Sequence, residues 1–487
     1  MNNAHRFSRY DFEPTSFVDV LRWRALHHPN KRVFTFLTDG ETQEVAITYE
    51  ELDCRARAIG ALLQSFVSPG ERVLLLYPPG LDYIAGLFGC LYSGVIAIPA
   101  YPPDPMRQDR TLPRLQAILN DVQAAVVLTT SPILSLAEFL FDKAPDLGAL
   151  QWMATDTVAS GVEYGWNEPW IRPDSLAFLQ YTSGSTRTPK GVMVSHGNLL
   201  HNSSLISQGF GMTSNDVGMI WLPPYHDMGL IGGILQPISC GITCILMSPL
   251  DFLQKPLRWL QAISRYQATV SGGPNFAYDL CVRKVTLEQR DTLDLSRWST
   301  AFSGSEPVRA ETMDRFAAYF APCGFQREAF YPYYGLAEGT MIVSGGGKYT
   351  SPVLCSVEAD ALERDEVVPA TPGGENARTL VSCGKNLGGQ RIAIVDPETI
   401  TLCPPNRVGE IWVSGPSVGR GYWNLPEDTE KTFQAYLLDT GEGPFLRTGD
   451  LGFIKDGELY ICGRLIPKAE RAVHLVLHQT EYPTYST

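Results

Sequence analysis

Tyr181-Thr182-Ser183-Gly184-Ser185-Thr186-Arg187-Thr188-Pro189-Lys190-Gly191-Val192-Met193-Val194-Ser195-His196 is the stretch around which the chain is organised. The apolar run at residues 176–181 reads as a buried strand, and apolar character resumes at Val192-Met193-Val194. Between them lies a loop of hydroxyls, glycines, a proline and two cations. Glycine lets backbone N–H groups approach an anion closely, Ser and Thr add donors, and Arg187 and Lys190 bring positive charge. That is the chemistry of a triphosphate cradle, with a solvated turn as the plainer alternative. It lacks the Gly-Lys-Ser/Thr ending of a Walker A loop.

Outward from this stretch the pattern alternates. Residues 17–28 and 48–66 have helical periodicity, and Thr48-Tyr49-Glu50-Glu51 opens the second helix with a capping-box spacing. Residues 72–77 read as a strand, 81–91 as a helix and 95–99 as a strand, a βαβ unit that predicts a parallel pair. A helix over 112–121 leads into a strand over 125–129. Beyond the central loop, strands at 217–222, 243–247 and 269–271 alternate with helices near Met228 and over 256–266 and 275–284. Such alternation specifies a layered α/β fold with parallel sheets. After about Gly345 the segments become short strands, at 379–382, 391–395 and 410–413. A hairpin over 451–455 and 458–462 turns on Asp456-Gly457, a favoured two-residue turn. Residues 348–376, with three prolines and Gly373-Gly374, interrupt the order and look inserted.

At 487 residues the chain exceeds one ordinary core, so two or more packed units are expected. The net charge of −13 argues against a general nucleic-acid or anionic-membrane binder. Ten cysteines are scattered without a Cys-x-x-Cys, and Cys240 and Cys244 have no partner at a metal spacing, which predicts buried free thiols in a reducing cytosol. Residues 1–12 are polar where a signal peptide needs an apolar core. The 22 uncharged residues 229–250 are long enough to span a bilayer. Pro237 and four glycines divide them, so a buried helix followed by a buried strand is the expectation, with no membrane span.

Four further segments carry chemistry. Trp221-Leu222-Pro223-Pro224-Tyr225-His226-Asp227-Met228-Gly229 sets a His and an Asp where a strand gives way to a helix, and strand C-termini are where α/β folds bind ligands. A helix cap is the equal alternative for Asp227. Ser303-Gly304-Ser305-Glu306-Pro307 by itself is a helix N-terminal cap sequence. Tyr331-Pro332-Tyr333-Tyr334-Gly335-Leu336-Ala337-Glu338 offers a flat Tyr334 ring to a purine and a hard Glu338 oxygen to Mg²⁺. Arg447-Thr448-Gly449-Asp450 ends on a carboxylate able to accept two bonds from ribose hydroxyls.

In this order the five segments resemble the motifs of the adenylate-forming superfamily (acyl-CoA synthetases, luciferases and nonribosomal-peptide adenylation domains), over most of the chain. The resemblance implies that superfamily's large N-terminal domain at residues 1–463. It comprises two layered α/β subdomains with largely parallel sheets, to about residue 345, plus a smaller β-barrel-like subdomain. It implies ATP and Mg²⁺ as cofactors. Thr182, Ser183, Gly184, Ser185, Thr186 and Lys190 would face the β- and γ-phosphates. Ser303, Gly304, Ser305 and Glu306 would form a wall beside the adenine, with Tyr334, Gly335 and Leu336 opposite. Glu338 would hold the metal, Asp450 the ribose, Arg464 the nucleotide and His226 the acyl-carboxylate entrance. Ala337 stands where the superfamily usually has Thr. The implied reaction is in-line attack of a carboxylate on the α-phosphorus with pyrophosphate leaving, driven by positioning and charge neutralisation, with Lys190, His226 and Glu338 catalytic.

Within the superfamily, Gly272-Gly273-Pro274-Asn275-Phe276-Ala277-Tyr278-Asp279-Leu280, with the Pro-Pro-Tyr-His-Asp-Met-Gly and Gly-Leu-Ala-Glu wordings, most resembles fatty acyl-AMP ligases. That branch carries an insertion where residues 348–376 lie, linked to failure to use coenzyme A. The implied substrate is a long-chain fatty acid. The implied acceptor is an acyl carrier protein, or a carrier domain of a polyketide or nonribosomal peptide synthase. Leu230, Ile231, Ile234 and Phe276 suit an alkyl tunnel and suit plain core equally. A long-chain acyl-CoA synthetase, and a nucleotide- and lipid-binding remnant, are the alternatives. The pattern departs after Gly463-Arg464: Leu465-Ile466-Pro467-Lys468-Ala469-Glu470 carries no Lys-Asp pair, and residues 464–487 read as a truncated or altered C-terminal domain. The family's adenylation lysine lies in the part of that domain that is missing. Losing one charge stabiliser costs about 10²–10³ in rate, so binding with slow adenylation is expected.

Overall fold

The alternation seen in the sequence folds into two large sheets and a smaller β-rich part. The computed structural model describes residues 12–102, 108–138, 145–182 and 189–465. In chain order the first strands are β1 (Arg32–Leu37), β2 (Glu44–Thr48), β3 (Arg72–Leu75), β4 (Ile96–Pro99), β5 (Val126–Thr129), β6 (Gln151–Ala154), β7 (Leu176–Thr182) and β8 (Lys190–Ser195). Then come β9 (Val217–Ile220), β10 (Thr243–Met247), β11 (Val270–Gly272), β12 (Thr300–Ser303), β13 (Phe330–Gly335) and β14 (Ile342–Gly345). The β-rich part holds β15 (Leu354–Glu358), β16 (Ala377–Val381), β17 (Lys385–Asn386), β18 (Arg391–Val395), β19 (Gly409–Ser414), β20 (Leu446–Lys455) and β21 (Glu458–Arg464).

One sheet has six strands in the order β6-β5-β3-β4-β7-β8. It is parallel except for β8, which returns antiparallel on β7. The larger sheet runs β17-β14-β13-β12-β11-β9-β10-β1-β2. Its strands from β13 to β1 are parallel, with antiparallel neighbours at both edges. The predicted βαβ unit is present as β3, the helix Leu81–Ser93 and β4. Thr48 caps the helix Tyr49–Gln64 in a capping box with Glu51, as its spacing predicts. The sequence reading put no strand between its first two helices. β1 and β2 fill that interval, and β1 finds its parallel partner in β10, some two hundred residues away. One continuous buried cluster runs through both large sheets, from Phe17 and Phe34 to Phe178, Trp259 and Phe330.

Residues 229–250 divide as expected. A π-helix, Met228–Leu235, runs into the short helix Gln236–Cys240, Gly241 ends it at φ +73°, and β10 follows. Among the described residues no helix is long and apolar enough to cross a membrane. All ten cysteines are free thiols.

The β-rich part centres on the antiparallel sheet β18-β19-β20-β21. The β20–β21 hairpin turns on Asp456 (φ +56°) and Gly457 (φ +80°), the two positive angles its turn requires. The inserted-looking segment 348–376 is ordered into β15 and a helical turn, Ala359–Leu362, and β15 pairs antiparallel with β16. Its Cys355, Val357, Leu362 and Val367 share a small separate core with Phe453 and Tyr460 of the hairpin.

Candidate active site

The central loop residues Ser183, Gly184, Ser185, Thr186 and Arg187, and the tail after Leu465, lie outside the described residues. The two ends of the loop are placed: Thr182 and Lys190 face each other as the last pair of the β7–β8 ladder. The segment 415–424 runs along β8. Met193 N donates to Gly421 O (2.9 Å), and Trp423 N donates to Gly191 O (2.8 Å). This pairing delivers Tyr422 to the foot of the loop. Lys190 Nζ lies 4.9 Å from the Tyr422 ring centroid and 2.7 Å from Asp428 Oδ2. The Tyr422 hydroxyl donates to Glu338 Oε1 at 2.8 Å.

Glu338 owes its place to a sharp reversal. β13 ends at Gly335, where an added Cβ would lie 1.8 Å from Met341 O, so only glycine allows the chain to double back. The turn Ala337–Gly339 presents Glu338, whose own carbonyl accepts Gly419 N at 2.8 Å. Thr340, at φ +71°, closes the turn by donating to Ser417 O (2.5 Å). Burial holds the Glu338 carboxyl above its ordinary range.

Tyr334 is buried, and its hydroxyl donates to Asp450 Oδ2 at 2.7 Å. Arg464 Nε donates to Asp450 Oδ1 at 2.8 Å. In this conformation the Tyr334 side chain, 7% exposed, offers little face for stacking. The Arg464 field also reaches Glu338 and Tyr422. Arg447 Nε and Nη2 both donate to Oε2 of buried Glu410 (3.0 and 2.8 Å), whose Oε1 accepts Gly449 N (3.2 Å). Lys190, Tyr422, Glu338, Arg464, Asp450 and Tyr334 thus form one connected set drawn from both large sheets and the antiparallel sheet.

The cap reading of Ser303-Gly304-Ser305-Glu306-Pro307 is corrected: the next helix begins at Ala310 behind Arg309, without a side-chain cap. Instead the segment packs tightly. A Cβ on Gly304 would lie 2.6 Å from the Tyr333 ring, and Ser305 takes φ +63°. Glu306 Oε1 accepts Phe276 N at 2.6 Å, and Ser303 Oγ is buried without a partner among the described residues. Asp227 does act as a cap. Its Oδ1 accepts Met228 N (2.7 Å) at the start of the π-helix and lies 2.6 Å from His226 Nδ1. The Asp227 carboxylate raises the pKa of His226, whose side chain is more than half exposed.

Two apolar cavities flank the π-helix. One is lined by Gly232, Gln236, Phe302, Met341, Ile220 and Phe210, among others. The other takes in Gly229, Ile234, Ile220 and Tyr83. Of the four expected tunnel residues only Ile234 lines either; Leu230 and Ile231 are core, and Phe276 packs edge-on against Trp221. The sequence reading also passed over Tyr422 and Asp428. The signal available was Gly419-Arg420-Gly421-Tyr422-Trp423, where glycines interleave with a cation and aromatics.

Residues 21–423 match the family of AMP-binding enzymes. The chain belongs to that family. The AMP-binding enzyme is 48% identical over 474 residues to the medium-chain-fatty-acid–[acyl-carrier-protein] ligase JamA of Moorena producens, spanning 97% of this chain and 79% of that protein. It is 37% identical to the 4-hydroxyphenylalkanoate adenylyltransferase of Mycobacterium tuberculosis, over 94% of this chain and 75% of that one. It superposes on the fatty acyl-adenylate ligase from L. pneumophila, solved with acyl adenylate and pyrophosphate. The TM-score is 0.88 at 44% identity, covering 97% of this chain and 80% of that chain. Its branch is that of the fatty acyl-AMP ligases.

Among the described residues no group of three or more His, Cys, Asp or Glu is placed to hold a metal alone. One carboxylate still fits Mg²⁺, which commonly takes one or two carboxylates and completes its shell with water and substrate phosphates.

Proposed function

We infer that this AMP-binding enzyme activates a medium- to long-chain fatty acid with ATP and passes the acyl group to the phosphopantetheine thiol of an acyl carrier protein or carrier domain. The observation that carries the reading is the connected set in which Tyr422 links Lys190 to Glu338 while Asp450 holds Tyr334 and Arg464, in a fold that also carries an apolar cavity lined by Gly232, Phe302 and Met341. The fatty-acid–[acyl-carrier-protein] ligase and acyl-adenylate relatives support it.

The fatty carboxylate attacks the α-phosphorus. An acyl O–P bond forms, the bond to the β-phosphate oxygen breaks, and pyrophosphate departs with the electron pair. Lys190, with the donors of the loop 182–186, would serve the β- and γ-phosphates, and charge neutralised there lowers the barrier. Glu338 would hold Mg²⁺, which when bound neutralises phosphate charge. Asp450 accepts the ribose hydroxyls. A carboxylate has about four lone-pair sites, so it does this while keeping Tyr334 and Arg464. Ser303 to Glu306, Gly335 and Leu336 form the adenine walls. His226 lies where the carboxylate enters, and the acyl chain runs into the cavity past Gly232, Phe302 and Met341.

Incubation with labelled fatty acids of graded length, ATP, Mg²⁺ and coenzyme A tests this. Acyl-AMP is the expected product, moving to holo-carrier protein on its addition, and Lys190→Met and Glu338→Gln lose it. Acyl-CoA as the main product would overturn the reading in favour of an acyl-CoA synthetase.

A further inference from the structure

Lys190 is not a free cation in this fold. Asp428 Oδ2 sits 2.7 Å from its ammonium, the separation at which a phosphate oxygen would bind it. The Tyr422 ring covers another side at 4.9 Å. Asp428 belongs to the first turn of the helix Pro426–Phe433, which starts with proline at its first position. That helix is fastened to Tyr422: Tyr422 N donates to Thr429 Oγ1 (2.9 Å), Thr429 Oγ1 donates to Tyr422 O (3.2 Å), and Phe433 packs edge-on against the Tyr422 ring. Gly421, at φ +121°, allows this close approach, since a Cβ there would lie 2.3 Å from Thr429. Ring and carboxylate therefore reach Lys190 as one unit.

We propose that Asp428 is an intramolecular stand-in for the triphosphate: it occupies Lys190 in the nucleotide-free protein and competes with ATP for that cation. This rests on the reading of Lys190 as a phosphate-binding residue. Exposure decides that the pair is exchangeable. The Lys190 and Asp428 side chains keep 25% and 37% of their surface in solvent, where such a pair is weak, so a ligand bearing several phosphate oxygens displaces the carboxylate. While in place, the carboxylate cancels the attraction that Lys190 exerts on the nucleotide.

The test is calorimetric binding of ATP–Mg²⁺ without fatty acid to the wild-type chain, Asp428→Asn, Asp428→Glu, Lys190→Met and the double variant Asp428→Asn/Lys190→Met, with melting curves to verify folding. Removing a partly exposed competitor predicts ATP binding about two- to five-fold tighter in Asp428→Asn. Asp428→Glu stays near wild type. Lys190→Met binds more weakly, and in its background Asp428→Asn gives no gain, the non-additivity expected of a contact pair. In turnover, Asp428→Asn lowers KM for ATP with kcat little changed. Lys190→Met weakening ATP while Asp428→Asn binds equally or more weakly than wild type would overturn the proposal alone, making Asp428 an orienting residue. Lys190→Met leaving ATP affinity unchanged would overturn the reading of Lys190 and the proposal with it.

Discussion

Tyr422 touches two residues proposed to serve the phosphates and their metal, its ring against the Lys190 ammonium and its hydroxyl on Glu338 Oε1. Removing only the oxygen separates the two contacts. Tyr422→Phe keeps the ring over Lys190 and strips Glu338 of a charge-assisted donor, an interaction on the order of 1.5–3 kcal/mol. The expected outcome is an Mg²⁺ requirement for pyrophosphate exchange raised about tenfold, with the melting temperature within a few degrees of wild type. An unchanged Mg²⁺ titration would show that the hydroxyl does not serve Glu338. Neither Tyr422 nor Asp428 belongs to the five segments that the sequence set apart. Glu338, Asp450 and Tyr334 were visible in the sequence and Tyr422 was not; none of the pairings that steady the two carboxylates could be read there, because they span 84 residues for Tyr422–Glu338 and 116 for Tyr334–Asp450.

At the scale of elements, the helix His196–Gly209 follows β8 directly and carries a buried histidine at its first position. His196 Nδ1 accepts the Phe17 N–H at 3.3 Å, which joins two helices only if the ring stays neutral there. Burial lowers its pKa from 6.5 to about 4. The folded value is below the unfolded one, so the unfolded chain takes up the proton first as pH falls. Stability is complete above pH 6.5 and declines through the window down to about 4. The full loss is on the order of 3 kcal/mol. Melting temperatures across pH 7 to 4 check this: wild type should fall more steeply than His196→Gln, and parallel curves would remove His196 as the cause. Element boundaries were legible where local chemistry sets them, as in the Thr48 capping box and the Asp456-Gly457 hairpin. The π-helix was not, since an apolar run with glycines does not distinguish π from α winding.

Across the whole molecule, the extent of each core decides which parts open together. Cys90, Cys244 and Cys281 are fully buried in the continuous cluster that joins both large sheets. Cys355 sits in the small core under the β15–β16 ribbon. A few buried side chains hold that ribbon, so local opening there needs less free energy than global unfolding. Pulsed thiol labelling in increasing urea, read by mass spectrometry, should modify Cys90, Cys244 and Cys281 at one common midpoint and Cys355 at a lower one. Separate midpoints for Cys90 and Cys244 would mean that the two large sheets unfold independently.

By itself the sequence determined the layered α/β class, most of the alternation of strands and helices, and the five segments proposed to serve phosphate, metal and ribose. Each of those is written in local periodicity or in a short run of residue types. Only the tertiary structure decided that β1 pairs with β10, that residues 348–376 build a ribbon on the β-rich part, and which residues line the cavities. It also decided the partners of the loop that first organised the chain: Lys190 meets Asp428 and Tyr422 because 415–424 runs along β8. Backbone hydrogen bonds carry no residue-type signature, and a partner more than two hundred residues away leaves no trace in local pattern.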